Sequence, residues 1–387
     1  MKLRVAFAGG GTGGHIYPAL GIDEAIRAEF APDAYEARFF GNAGGLERDL
    51  VPRHIPLTFV PSAPLQRKFS FGTLRTLAMN AVGVLVALAQ LARYKPLMVI
   101  ATGGYVCFPV VVAARILRTL RVLRCGIALL EINATPGLTN RLLAPLVDEV
   151  WITYAASAAL FGKKARLTGT PTRASLRRRH VAADARARLG LSPTKTTIVA
   201  MGGSQGARSI NEAIAALVTR RSLQPNWQVL HVSGSRDYAY MQAEERELAE
   251  GNTVRLVEYL PDPTDAYAAA DVVIARAGAS TLAELAVTGT PALLIPYPFA
   301  AEAHQQKNAE LFAAVGAATI IGDDELDGDR LWWALLDMLA PDAQRTMRAA
   351  MRSLAPVDAG AAIVSRIQSL IPARVIESTS SNEASRG

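Results

Sequence analysis

Residues 5–15 read VAFAGGGTGGH, and residues 198–208 read IVAMGGSQGAR. Each is a short apolar run that ends in a glycine-rich loop. Each is followed by a pattern with helical spacing, ALGIDEAIRAEF at 19–30 and SINEAIAALVTR at 209–220. A strand that is apolar at consecutive positions is buried on both faces, as in a parallel sheet covered by helices. The echo therefore predicts an α/β chain of two similar doubly wound, Rossmann-like halves, each opening on its own first strand and loop. Further runs fit that plan: strands at ARFFG (37–41), MVIAT (98–102), WQVLHVSG (227–234), DVVIARAG (271–278) and PALLIPYP (291–298), and helices at PVVVAARILRTL (109–120) and TLAELAVTG (281–289).

Composition agrees. The chain has 387 residues, half of them hydrophobic, which suits two domains. Charged residues make up only 19 %, so global disorder is excluded. The formal net charge of +7 favours an anionic partner such as phosphate or acidic lipid. Two cysteines, Cys107 and Cys125, exclude a disulfide scaffold and offer no zinc spacing, which fits a reducing cytoplasm. The opening MKLRVAFAGGG has too short an apolar part for a signal peptide and reads as a buried strand. The stretch LAMNAVGVLVALAQLA (77–92) is short for a membrane span and carries Asn80 and Gln90, so residues 79–92 read as a buried helix. Residues 168–195 are polar, basic and proline-bearing and read as a hinge. Their arginines read as a solvated face, because no aromatic residues interleave to suit nucleic acid. The tail RVIESTSSNEASRG (374–387) reads as disordered.

A glycine loop between strand and helix turns backbone N–H groups outward, and the helix N-terminus adds partial positive charge; together they make an anion site. A tight turn for close packing is the plainer reading. NAD is another, but ARFFG runs into NAGGLERDL without an acid at the strand end to meet a ribose. In the second half, Glu284 on the helix after RAGAS is suited to two vicinal hydroxyls, or to complementing the helix dipole. Gln305 and Gln306 offer donors and acceptors for sugar hydroxyls. GDDELDGD (322–329) reads as a helix start or exposed turn rather than a metal site, and no Asp-x-Asp motif stands at a strand end. No metal and no cofactor is expected.

GGGTGGHIYPAL (9–20), TGGY (102–105), EINATPGLTN (131–140), GTPTR (169–173), GGSQGARSIN (202–211), RAGASTLAE (276–284) and HQQKNA (304–309) follow one another as in a known family. The chain resembles the MurG family, UDP-N-acetylglucosamine:undecaprenyl-pyrophosphoryl-muramoylpentapeptide N-acetylglucosaminyltransferases, over roughly residues 3–370. The resemblance implies the GT-B arrangement, two Rossmann-like domains facing a cleft. Residues 1–172 would take the lipid acceptor and face the membrane, with a C-terminal helix near 355–372 packing back on them. Residues 173–354 would bind UDP-N-acetylglucosamine, leaving 373–387 as a tail. It implies an inverting, metal-independent transfer that makes lipid II for peptidoglycan. Ser204, Arg173 and the Ala279–Ser280–Thr281 turn would contact the donor phosphates. Leu260 would face the uracil, Glu284 the ribose, and Gln305, Gln306 and Asn133 the sugar. Thr12, Gly13 and Gly14 would hold the acceptor's pyrophosphate and border the donor.

His15 is then the first candidate for general base, with a phosphate contact as its alternative; Glu131 is a second base or an orienting partner. The chain departs from the family at LEIN (130–133), where a histidine and a glutamine are missing, and at GGYVCFP, where Cys107 and Phe108 replace small residues. Arg67, Lys68 and Arg75 among Phe69, Phe71, Leu74 and Leu77, with Arg115, Arg118, Arg121 and Arg124, suit peripheral docking on an anionic membrane at its cytoplasmic face. Two other readings stay open: a GT-B UDP-sugar transferase acting on another glycolipid, and a non-catalytic sugar-nucleotide-binding subunit.

Overall fold

In a computed structural model, the described residues are 2–64, 71–203, 205–221, 223–242, 254–355 and 358–372. The chain forms two units, Met1–Ala174 with Pro356–Gly387, and Ser175–Ala355. The first holds seven strands: β1 Leu3–Gly9, β2 Tyr35–Gly41, β3 Leu57–Phe59, β4 Met98–Gly103, β5 Gly126–Glu131, β6 Glu149–Ile152 and β7 Ala165–Leu167. They pair in parallel in the order β3-β2-β1-β4-β5-β6-β7. The second holds β8 Thr196–Met201, β9 Trp227–Val232, β10 Val254–Val257, β11 Val272–Ala275, β12 Ala292–Leu294 and β13 Ala318–Ile320, also parallel, in the order β10-β9-β8-β11-β12-β13. In both sheets the unit's first strand lies inside, and the chain runs first to one side of it and then to the other. This is double winding, and it places a topological switch point at β1/β4 and again at β8/β11.

The cores follow from the apolar strands. In the first unit Ala6, Ala8, Val99, Ala101, Ile127 and Leu129 pack with Ala87 and Leu91 of the helix Phe71–Tyr94 and with Val110 and Ala114 of the helix Cys107–Thr119. In the second, Ile198, Val229, Ile274 and Leu293 meet Ile210 and Leu217 of the helix Arg208–Arg221 and Leu331 and Leu335 of the helix Gly328–Met338. The Trp227 and Trp332 rings pack at 5.4 Å. The helix Ala359–Leu370 returns to the first unit and buries Ile363, Val364 and Ile367, packed on the helix Gly13–Glu29.

Two expectations need correction. Residues 79–92 are buried on one face only. Gly83, Ala87, Leu91 and Tyr94 face inward, and Gly83 lies so close to the Pro61 carbonyl that a Cβ would collide with it. Buried Asn80 exchanges two hydrogen bonds with the backbone of Ala63, at 3.1 and 3.2 Å. The opposite face leaves Leu74, Leu77, Val82 and Leu85 half or more exposed. Leu74–Tyr94 is also long and apolar enough, by length and composition, to cross a membrane, which the polar interruptions had argued against. Second, the arginines after the first unit are not all a solvated face. In the helix Ala182–Arg188, Arg186 is largely covered and pairs with Asp271 at 2.9 Å, while Arg188 stays exposed, as expected, and pairs with Asp265 at 2.7 Å. Arg67, Lys68, Phe69, Ser204 and residues 373–387 lie outside the described residues.

Candidate active site

Ligands of open α/β sheets gather beyond the carboxyl ends of the strands at a switch point. At β1/β4 the strand register shifts between Ala8 and Gly9, where the first glycine loop begins. Gly11 takes a left-handed φ of +84°. Thr12 is extended, exposed and stands at the N-cap, and Gly13 and Gly14 open the helix. The helix's own first turn carries no acidic residue, which leaves its positive end uncompensated by its own side chains.

His15 follows at once and is held at both ends by one residue. The Thr102 hydroxyl donates to the His15 carbonyl at 2.6 Å, and His15 Nδ1 lies 3.2 Å from the Thr102 carbonyl. A carbonyl only accepts, so Nδ1 is the donor in this bond, and in the neutral ring the acceptor lone pair then stands on Nε2. Gly103, at φ +116°, lets the ring in; a Cβ there would strike Nδ1. Gly104 passes so near the Gly10 carbonyl that the two loops touch. Cys107 is buried beneath them, where its sulfur receives the Gly103 amide at 3.3 Å and lies 3.2 Å from the Ala8 carbonyl. Burial pushes its thiol up to about 12, so it is a neutral anchor.

Glu131, at the end of β5, is 1 % exposed. Its carboxylate accepts from the Asn133 amide at 2.9 Å, Asn133 Nδ2 at 3.1 Å, the Gly137 amide at 3.0 Å and Asn140 Nδ2 at 2.9 Å. Burial raises its carboxyl from the ordinary value, and those four donors oppose the rise. Such a group fixes the turn that carries Asn133. Arg173 lies 4.1 Å over the Tyr17 ring.

In the second unit the loop after β8 turns through Gly203 and Gly206, both left-handed, into the helix Arg208–Arg221. After β11, Gly278 caps the helix Ala279–Thr288; Ala279 is buried and Ser280 and Thr281 are half-buried in its first turn. Glu284 follows, 9 % exposed, and accepts from the Tyr267 hydroxyl at 2.8 Å. Leu260 is half-buried in the segment after β10. Gln305 Oε1 accepts from the Tyr297 amide at 2.9 Å and so pins the loop ahead of it, while exposed Gln306 reaches Glu310 at 2.9 Å.

Sequence reasoning missed Thr102, Tyr267 and one ion pair. Arg276 donates to Asp323, to Ser209 Oγ at 2.9 Å and to the Ile295 carbonyl at 3.2 Å, and so ties the segment after β11 to the start of the helix after β8. Asp323 belongs to the acidic run read as a turn. Its neighbour Asp327 does cap a helix, accepting from the Arg330 amide at 2.7 Å. Among the described residues no group of three or more His, Cys, Asp or Glu could hold a metal ion.

Two doubly wound units, each with a glycine loop at its switch point, define the GT-B class of glycosyltransferase fold. A crystal structure of Acinetobacter baumannii MurG matches with a TM-score of 0.72 at 23 % identity, over 95 % of this chain and all of that one. A Staphylococcus aureus MnaA–UDP structure matches with a TM-score of 0.64 at 13 % identity, over 95 % and 96 %. Residues 5–152 match the glycosyltransferase family 28 N-terminal domain and residues 197–364 its C-terminal domain. Among curated proteins, the UDP-N-acetylglucosamine--N-acetylmuramyl-(pentapeptide) pyrophosphoryl-undecaprenol N-acetylglucosamine transferase of Desulfitobacterium hafniense is 40 % identical, over 92 % of this chain and 96 % of its own length. The same-named protein of Desulforamulus reducens is 36 % identical over 96 % and 99 %. The chain belongs to this MurG family, within glycosyltransferase family 28.

Proposed function

We propose that this chain transfers N-acetylglucosamine from UDP-N-acetylglucosamine to the muramoyl-pentapeptide of an undecaprenyl-pyrophosphate lipid, making lipid II for peptidoglycan. The observation that carries the chemistry is the contact of His15 Nδ1 with the Thr102 carbonyl at 3.2 Å, which favours the neutral tautomer with its proton on Nδ1. With Nδ1 donating, Nε2 accepts the proton of the acceptor hydroxyl as its oxygen attacks the anomeric carbon. The bond from that carbon to the UDP oxygen breaks, UDP leaves with the electron pair, and the configuration inverts. Charge grows on the diphosphate, and helix N-termini and glycine-loop amides meet it. The amides of Gly13 and Gly14 serve the acceptor's pyrophosphate in this reading. The Ala279–Thr281 turn, Ser204 and Arg173 serve the donor phosphates, and Glu284 the ribose. Glu131 orients rather than accepts protons, because its oxygens already meet four donors.

The exposed apolar face of the helix Phe71–Tyr94 supports a peripheral site at the cytoplasmic surface of an anionic membrane. Exposed Arg75 and Arg115 add charge of the right sign.

The test is turnover of UDP-N-acetylglucosamine with a short-chain analogue of the lipid acceptor. Disaccharide-lipid and UDP should appear in equal amounts, and EDTA should leave the rate intact. UDP-N-acetylglucosamine should raise the melting temperature, and NAD should not. UDP release without disaccharide product, or loss of activity in EDTA restored by magnesium, would overturn the corresponding part of the proposal.

A further inference from the structure

Glu47 opens the short helix Glu47–Leu50 and is wholly buried. Its Oε1 accepts from two backbone amides, Gly11 at 3.2 Å and Asn42 at 3.0 Å. Its Oε2 is buried with no partner. Gly10, Gly41 and Gly45 surround the carboxylate so closely that a Cβ on any of them would collide with its side chain. Asn42 extends the link: its Oδ1 accepts from the Gly44 amide at 3.0 Å, and its Nδ2 donates to the Ser62 carbonyl at 2.9 Å. One buried side chain thus ties the loop after β1 to the turn after β2, and through Asn42 to the segment after β3. Glycine-rich backbone is the most mobile kind, and an anion site works through donors held in place beforehand. The first helix has no side-chain cap to do that holding.

We infer that Glu47 is a positioning residue: it fixes Gly11 from behind, so that the amides from Gly13 onward are presented to the acceptor's pyrophosphate. The inference rests on the reading of that loop as the acceptor site. Geometry, not charge, is what the loop requires, since a single oxygen accepts both amides. A glutamine keeps that oxygen and replaces the unpartnered Oε2 with an amide nitrogen.

The experiment compares Glu47→Ala and Glu47→Gln in the full chain. It reads kcat and KM with the short-chain lipid analogue, the UDP dissociation constant, and hydrogen–deuterium exchange across residues 9–15 and 42. Loss of two backbone hydrogen bonds should raise the acceptor KM and speed exchange at Gly11 and Asn42 by about tenfold or more in Glu47→Ala. UDP affinity should stay within about twofold, and Glu47→Gln should restore KM and protection to within about threefold of the parent. Unchanged KM and exchange in Glu47→Ala would overturn the inference. So would a Glu47→Gln as impaired as Glu47→Ala, which would make the charge the essential feature. Parallel loss of UDP affinity and of cooperative unfolding would assign Glu47 to the fold at large. If the parent protein itself failed to use the lipid analogue, the acceptor reading would fall, and amide exchange alone would still decide whether Glu47 positions the loop.

Discussion

In the first unit the loop after β1 is held by a threonine and a buried carboxylate, a neutral thiol packs at the end of β1, and the loop ends on His15. In the second unit the corresponding helix start is tied to its neighbour by an ion pair, Arg276 with Asp323, and by Ser209. The strand–loop–helix plan is the same, so both units present backbone amides and a helix N-terminus of the kind that suits an anion. What differs is the chemistry added to it. A titratable ring follows the first loop, whereas Arg208 follows the second, paired with Glu212 at 2.7 Å. In the function proposed above, proton handling falls to the first unit and the holding of the nucleotide to the second.

The largest effect should come from removing the titratable side of that contrast. His15→Ala is expected to lower turnover by about 10²–10⁴-fold, the usual cost of losing a general base. The affinity for UDP should remain. The acidic limb of the pH–rate profile should vanish, since it reports protonation of the base. A raised acceptor KM with the limb intact would instead make His15 a phosphate contact, and loss of the limb in Glu131→Ala alone would move the base. Single-turnover rates across pH separate these outcomes.

The nucleotide side is tested by Glu284. Glu284→Ala should weaken UDP and UDP-N-acetylglucosamine in parallel, by about 1.5–3 kcal/mol for a lost charged hydrogen bond. Tyr267→Phe, which removes only the hydroxyl that holds Oε2, should cost about 1 kcal/mol of the same affinity. Calorimetry with UDP decides: UDP binding unchanged while the full donor weakens would remove Glu284 from the ribose.

A third asymmetry is apolar. The first unit exposes Leu74, Leu77, Val82 and Leu85 along one helix face, whereas in the second Trp333 and Val315 lie on different elements and exposed Tyr297 and Phe299 share a loop, not a helix face. Leu77→Ser combined with Leu85→Ser should reduce binding to anionic vesicles on the order of tenfold, because each side chain is already half or more exposed and contributes about 1 kcal/mol. Trp333→Ser should not change it. Equal binding by all three proteins in sedimentation would leave the helix face without a membrane role.

The legible parts of the molecule were those where one stretch of sequence carries the whole signal. β1, β4, β8 and β9 are six or seven residues long and nearly wholly buried, so the apolar runs showed them directly. β3, β7 and β13 have three residues each, too few for any periodicity, and half-exposed positions blur them further. His15 and Glu284 stood out because each follows a glycine turn. Thr102 acts on the His15 ring through its carbonyl, which no side-chain type announces. Asp323 meets Arg276 across 47 residues, and GDDELDGD offers several acids of equal appearance. Glu47 was hidden by its neighbours: NAGGLERDL was read for a missing ribose acid, while the acid in it turns back onto the glycine loop.

The smallest effect concerns how the chain's last described helix is attached to the first unit. Glu149 on β6 is buried and accepts from Arg366 of the helix Ala359–Leu370, from Trp151 Nε1 at 2.9 Å and from Arg166, whose Nε lies 3.2 Å away. The second unit has a counterpart in Asp271, which lies between Arg186 and Arg348 but joins segments of one continuous unit. Burial alone would raise the Glu149 carboxyl; the bonds from Arg366 and Trp151 and the nearby arginine charges outweigh it and hold the carboxyl below its ordinary value of 4.5. A carboxyl depressed in the folded state stabilises above its unfolded value, and that contribution is lost as the pH falls through the folded value. Arg366→Gln should therefore lower stability at neutral pH, on the order of 1 kcal/mol once the partial exposure of Arg366 is allowed for, or about 2–4 °C in Tm. The gap between variant and parent should close as the pH drops below 4.5. A gap that persists unchanged in acid would mean that Arg366 holds the helix by packing its stem rather than by its charge.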